Sequence, residues 1–188
     1  RHCLYWDTLG IQSFRVCVNI SPLQFNQGDL PDWIKRFLER SNLAPERLEL
    51  ELTESAIMTD AETNIAKLRA LKDIGLHLAV DDFGTGYSSL SHLKRFPIDT
   101  LKIDQSFVAD LHSPDGAAIV DAILALAKTL NLRVIAEGIE DVHQLQHLVA
   151  KECDLLQGFY FARPIYPEEV PDMLRQVFSW DLQDTGTN

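Results

Sequence analysis

Leu48-Glu49-Leu50-Glu51-Leu52-Thr53 alternates leucine with acid, and its reading decides the fold. Side chains of a strand point to opposite faces in turn, so Leu48, Leu50 and Leu52 share an apolar side while Glu49, Glu51 and Thr53 share the other. Outward from it in both directions the chain repeats one unit: a short β-rich run, a polar or glycine turn, then an amphipathic helical pattern. The other runs are Phe14 to Ile20, Leu76 to Asp81, Thr100 to Ile103, Arg133 to Ala136 and Leu155 to Phe161. Helical patterns lie at Leu30 to Arg40, Ala61 to Ile74, Ser88 to Lys94, Ala117 to Leu130, His143 to Ala150 and Pro167 to Phe178. Strand and helix in alternation mean parallel βα units. An open doubly wound sheet would satisfy the alternation too, but its glycine fingerprint after the first strand is missing. The expected fold is therefore an α/β (β/α)₈ barrel of the TIM type.

A whole barrel of this kind takes about 250 residues, whereas this chain has 188 and opens Arg1-His2-Cys3 in what reads as the end of a helix. The expectation is a domain over residues 1–180 holding about six of eight βα units, with the N-terminal portion missing, followed by a frayed polar tail at 181–188. Such a sheet would leave edges at Phe14 to Ile20 and Leu155 to Phe161, which invite pairing with another chain.

A net charge of -11 argues against a polymeric nucleic acid, whose binding requires clustered Lys and Arg. Cys3, Cys17 and Cys153 are scattered without CxxC spacing, which fits a reducing, cytoplasmic setting better than a disulfide framework or a zinc knuckle. No apolar run approaches the ~20 residues that span a bilayer, so no membrane contact is expected from this segment.

In a barrel the reacting groups sit at the C-terminal strand ends. Parity sends Lys102 and Asp104 inward against Leu101 and Ile103, and Glu137 inward against Val134 and Ala136; Asn19 and Asp81 fall on the axis by the same count, with Asp82 free to swing in where its strand breaks. Five carboxylates and a carboxamide are thus expected to converge on one spot with a single lysine. Like charges so close need cations, and an all-oxygen set without His or Cys selects Mg²⁺ or Mn²⁺ over Zn²⁺. Adjacent Asp81 and Asp82 suit two ions about 4 Å apart. Blander readings stand beside these. A lone strand-end acid is usually an N-cap, and glycines such as Gly84 and Gly86 usually just turn the chain. Glu49 reads as a buried ion-pair partner, His143 and His147 as a solvated helix face, and His2, His77, His92 and His112 as members of no constellation.

The motifs Val18-Asn19-Ile20-Ser21, Glu51-Leu52-Thr53-Glu54, Asp81-Asp82-Phe83-Gly84-Thr85-Gly86-Tyr87-Ser88-Ser89-Leu90, Leu101-Lys102-Ile103-Asp104, Ala136-Glu137-Gly138-Ile139-Glu140 and Gln157-Gly158-Phe159 run in order through the chain. Together they resemble the EAL-domain phosphodiesterases, which hydrolyse cyclic di-GMP to linear pGpG with two Mg²⁺ or Mn²⁺ ions in bacterial second-messenger signalling. The resemblance implies that Asn19, Glu51 and Asp81 hold the first metal, and that Asp81 bridges to a second held by Asp82 and Glu137. Lys102 would hold the attacking water with Asp104 in support. Glu54 would pin the loop Phe83 to Ser88, which the family uses in dimerisation, and Glu140, Gln157 and Phe159 would touch substrate. It also implies a homodimer, upstream regulatory or GGDEF-type domains, and other domains able to tether the parent to the inner membrane. The family's name-giving Glu-Ala-Leu strand is not in this chain, so residues 1–188 alone are expected to hydrolyse little. Two other readings compete: an EAL-like sensor that binds cyclic di-GMP without cleaving it, and an enolase-type barrel using Lys102 as base, which leaves the Asp81-Asp82 pair unexplained.

Overall fold

The computed structural model describes residues 2–11, 14–27, 29–85 and 90–175. Six parallel strands, β1 (Val16–Ile20), β2 (Leu48–Thr53), β3 (His77–Phe83), β4 (Thr100–Ile103), β5 (Arg133–Ala136) and β6 (Leu155–Leu156), pair in sequence order. Among the described residues the helices are α1 (His2–Thr8), α2 (Pro22–Asn26), α3 (Leu30–Ser41), α4 (Glu54–Met58), α5 (Ala61–Asp73), α6 (Leu90–Leu93), α7 (Gln105–Ala109), α8 (Pro114–Thr129), α9 (Val142–Ala150) and α10 (Val170–Arg175). This is the α/β architecture of a partial (β/α)₈ barrel, and none of these helices is long and apolar enough to cross a membrane.

Local chemistry explains the helices. Asp60, Ser113 and Asp141 each accept a backbone N–H from the first turn of α5, α8 and α9, the satisfaction that such orphan donors require. Leu48, Leu50 and Leu52 on β2, Leu78 and Val80 on β3, and Leu101 and Ile103 on β4 form the outer face of the sheet. They are buried in one core with Leu68 and Leu71 of α5 and Val120 and Ala127 of α8. The inner face is buried as well but polar, with Glu49, Glu51, Thr100 and Lys102 all withdrawn from water. A sheet covered on both sides is what parallel βα units require.

Three strand expectations change, the third run lying at His77–Phe83 rather than Leu76 to Asp81. β1 starts at Val16 rather than Phe14, whose ring instead packs edge-on to Trp6 of α1 and under the guanidinium of Arg47. The last run stops as a strand at Leu156, because the chain turns there: Gln157 donates its N–H to Ala136, and Tyr160 donates to Ile139. Gly158 makes that turn possible, since a Cβ there would lie 2.0 Å from the Ile139 carbonyl oxygen. The tail at 181–188 and the end of the helical pattern at Phe178 lie outside the described residues. β1 and β6 end the sheet, each with one ladder partner among the described residues, and Trp6 Nε1 donates to the Pro167 carbonyl, joining α1 to the segment after β6.

Candidate active site

The inward side chains form two levels. At the C-terminal level Lys102 Nζ lies 2.8 Å from Glu51, 3.0 Å from Asp81 and 2.8 Å from Glu137, so strands β2, β3 and β4 and the residue after β5 meet at one buried ammonium. Burial by itself would lower the Lys102 pKa, but the hydrogen bonds from Glu137, Glu51 and Asp81 outweigh it and hold it above the ordinary lysine value. Glu137 is pushed up, first by burial, even though Lys102 pulls it down. Three acids on one base leave the cluster short of positive charge.

Asn19 stands beside Glu51 in the ladder. With its amide nitrogen turned inward it donates to Glu51 Oε2 and Asp81 Oδ2 at 3.2 Å each; with its oxygen turned inward it faces those same acceptors. A cation held among the three oxygens would favour the second orientation.

Asp82 reaches the site through a bulge. Val80 pairs with Leu101 and Phe83 with Ile103, so β3 carries one more residue than its partner. Asp82 takes φ +54, a left-handed conformation that aspartate tolerates better than most non-glycine residues. Burial, then Asp81 and Asp104, raise its pKa. Asp104 caps α7 by accepting the Ser106 N–H at 2.9 Å and the Ser106 hydroxyl, which holds its pKa down, and it also shares a hydrogen bond with Asp82. The N-cap reading thus applies to Asp104, which reaches the cluster through Asp82.

Glu54 is buried at the start of α4 and accepts the Gly84 N–H at 3.0 Å. Gly84 has φ +97, and a Cβ there would meet the Phe107 ring at 2.9 Å, so this turn is closed to other residues. Residues 86–88 of the loop assigned to Glu54 lie outside the described residues. At the rim, Gln157 is exposed and so is Glu140, whose backbone N–H donates to Gln144. Phe159 is 52% exposed, with the Arg163 guanidinium 4.7 Å over its ring. Arg163 lies four residues beyond Phe159, outside the quoted motifs, and no local pattern in the sequence marks it.

The lower level is an ion-pair group around Glu49. Glu49 shares the inner face with Glu51 but does not join Lys102. It pairs with Arg15 at 2.7 Å and Arg133 at 3.6 Å, the ion-pair role expected of it. Glu51, Asp81 and Glu137 contact the lysine directly, while Asp104 is joined to the group through Asp82. The two arginines were legible: Arg15 has the parity of Asn19, and Arg133 that of Glu137. The histidines also differ from expectation. His147 pairs with Asp121 at 2.9 Å, while His112 stacks on His143 with centroids 4.7 Å apart and bonds Asp141.

The EAL domain matches residues 3–164. The bifunctional diguanylate cyclase/cyclic di-GMP phosphodiesterase MucR of Pseudomonas aeruginosa is 44% identical over 171 residues, which cover 90% of this chain and 25% of that protein. The chain spans about a quarter of the length of such curated relatives. Among solved structures, the PaMucR phosphodiesterase in complex with c-di-GMP superposes with TM-score 0.87 at 44% identity, covering 90% of this chain and 69% of that one. BlrP1 of Klebsiella pneumoniae, solved as a manganese/cy-diGMP complex, gives TM-score 0.77 at 33% identity over 86% of this chain and 42% of that one.

Proposed function

This chain belongs to the EAL domain family, and from that premise we propose that it is the catalytic part of a phosphodiesterase that opens cyclic di-GMP to linear pGpG. The observation that carries the reading is the group of Glu51, Asp81 and Glu137 on the single ammonium of Lys102, with the Asn19 amide beside them. The donors are all oxygen and the acids outnumber the base, which fits two hard divalent cations, Mg²⁺ or Mn²⁺. Asn19, Glu51 and Asp81 would hold one, and Asp81, Asp82 and Glu137 the other. The chemistry supplied by such a pair is polarisation of the phosphodiester and activation of water near neutral pH.

The rest falls to the chain's own groups. Lys102, kept charged by its carboxylate neighbours, donates to the attacking water and to the charge that develops on phosphorus oxygens. Asp104 holds Asp82, and so the bulge, in place. Glu54 keeps the turn at Gly84 closed over the site. Phe159 offers a ring face to a guanine, with Gln157 and Glu140 supplying polar contacts at the rim. Cyclic di-GMP is the proposed partner, in a cytoplasmic homodimer joined through the loop after β3 and governed by regulatory or GGDEF-type domains. A chain of charge -11 draws phosphate to itself only where cations wait, which suits a metal-dependent substrate.

The test is chromatography of nucleotides after incubation of cyclic di-GMP with Mn²⁺, using residues 1–188 alone and joined to a preceding segment with the family's Glu-Ala-Leu strand. Conversion to pGpG by the joined form is expected, and by the short form far less. Cyclic di-GMP bound tightly but never cleaved by the joined form would make this a sensor instead.

A further inference from the structure

We propose that His112, Asp141 and His143 form a second cation site at the rim of the barrel, built for a borderline transition metal such as Zn²⁺ and separate from the all-oxygen cluster on the axis. The three come from different turns of the chain. His112 closes the short helix Asp110–His112 that follows β4, Asp141 is the N-cap of α9, and His143 lies in the first turn of α9. Packing of that short helix on α9 stacks the two imidazoles at 4.7 Å with 20° between their planes. One ring nitrogen of each and one Asp141 carboxylate oxygen all lie within 4.8 Å of one another. Ligands at about 2.0–2.2 Å from a tetrahedral ion stand roughly 3.4 Å apart, so rotation of these exposed side chains completes the closure.

The carboxylate is already oriented. Asp141 Oδ1 accepts the Gln144 N–H at 2.9 Å while Oδ2 faces His112 Nε2 at 2.9 Å, so the helix cap fixes one oxygen and presents the other. A ligand held by a second hydrogen bond in this way is how metal sites are ordinarily stiffened. Two imidazoles and a carboxylate suit Zn²⁺, Ni²⁺ or Cu²⁺ and are poor ligands for Mg²⁺, the reverse of the axial set. The neighbouring pair makes the contrast. His147 bonds Asp121 at the same 2.9 Å, but Lys151 sits on that carboxylate too, which supplies the positive charge a cation would bring.

A metal here would clamp the segment after β4 to the start of α9, and thereby the connection from Glu137 to Asp141 that includes Glu140. The inference does not depend on the phosphodiesterase reading, because it concerns affinity for the metal alone. The experiment is calorimetric titration of the 188-residue chain with Zn²⁺ in excess Mg²⁺, which occupies the oxygen cluster. One equivalent should bind. His112→Ala and His143→Ala should each weaken it by roughly tenfold or more, and Asp141→Asn, which preserves the cap, should weaken it while leaving the helical circular dichroism unchanged. His147→Ala should leave it alone. Absence of a stoichiometric site in the native chain, or equal binding by the His112→Ala/His143→Ala double variant, overturns the proposal.

Discussion

Glu49 and Glu51 are two residues apart on one strand, face the same interior and are both almost fully buried, yet their surroundings oppose each other. Glu49 meets two arginines, Arg15 and Arg133. Glu51 meets one lysine that it shares with Asp81 and Glu137. Cations match or exceed acids at the lower level, and acids exceed cations at the upper. The lower level is a brace for the barrel. The upper level stores unsatisfied negative charge, which is what a metal-loaded reaction centre needs and a stable core does not.

The comparison breaks first at Asp81. Asp81→Asn should cut Mn²⁺-dependent hydrolysis of cyclic di-GMP by about 10³-fold or more, the scale of a lost electrostatic contact in the transition state, in the form that carries the Glu-Ala-Leu strand. The fold should stand, since Lys102 keeps Glu51 and Glu137. Turnover at the native rate would remove the two-ion assignment.

A chemical probe reads the upper level's potential without substrate. Cys17 lies on the same face of β1 as Asn19, and although the residue is exposed its thiol is pushed up to about 12 by partial desolvation and then by Glu51 and Glu49. A raised thiol pKa favours the neutral form, so at pH 8 the thiolate is scarce. Partly offset by its greater nucleophilicity, this should slow alkylation by iodoacetamide a few tens of fold against an unperturbed cysteine. Mn²⁺ should speed it by neutralising the carboxylates. Peptide mapping that finds Cys17 alkylated at the rate of a free thiol would contradict the surplus of charge.

The lower level answers to stability instead. Glu49→Gln should lower the unfolding free energy by roughly 1–2 kcal/mol in urea, a buried-pair penalty discounted because Arg15 is 27% and Arg133 40% exposed. Hydrolysis should persist below the melting transition. An equal loss from Glu51→Gln with no loss of activity would erase the distinction between the levels.

Glu54→Ala is the mildest break. Freeing the Gly84 N–H should lower turnover by roughly tenfold or less and leave Mn²⁺ affinity as it was, with faster amide exchange at Gly84 as the direct readout. Protection of Gly84 unchanged in the variant would show that the turn is held by other contacts.

Much of this arrangement follows from the sequence alone. The Leu/Glu alternation of β2 and the Leu/Lys alternation of β4 are local, because strand period is a property of neighbouring residues. They were enough to place Asn19, Glu51, Asp81, Lys102 and Glu137 on one inner face. Periodicity says which face a side chain takes but nothing of its height along the barrel or of the partner it finds there. Those depend on the register between strands that are far apart in the chain. Only the tertiary structure brought Arg15 and Arg133 together on Glu49, spent an extra residue of β3 on Asp82, ended β6 where Gly158 crosses the Ile139 backbone, and laid His112 on His143. Each of these is a contact between segments joined by packing rather than by sequence, and it exists because the sheet and its helices have one low-energy way to close around the shared core.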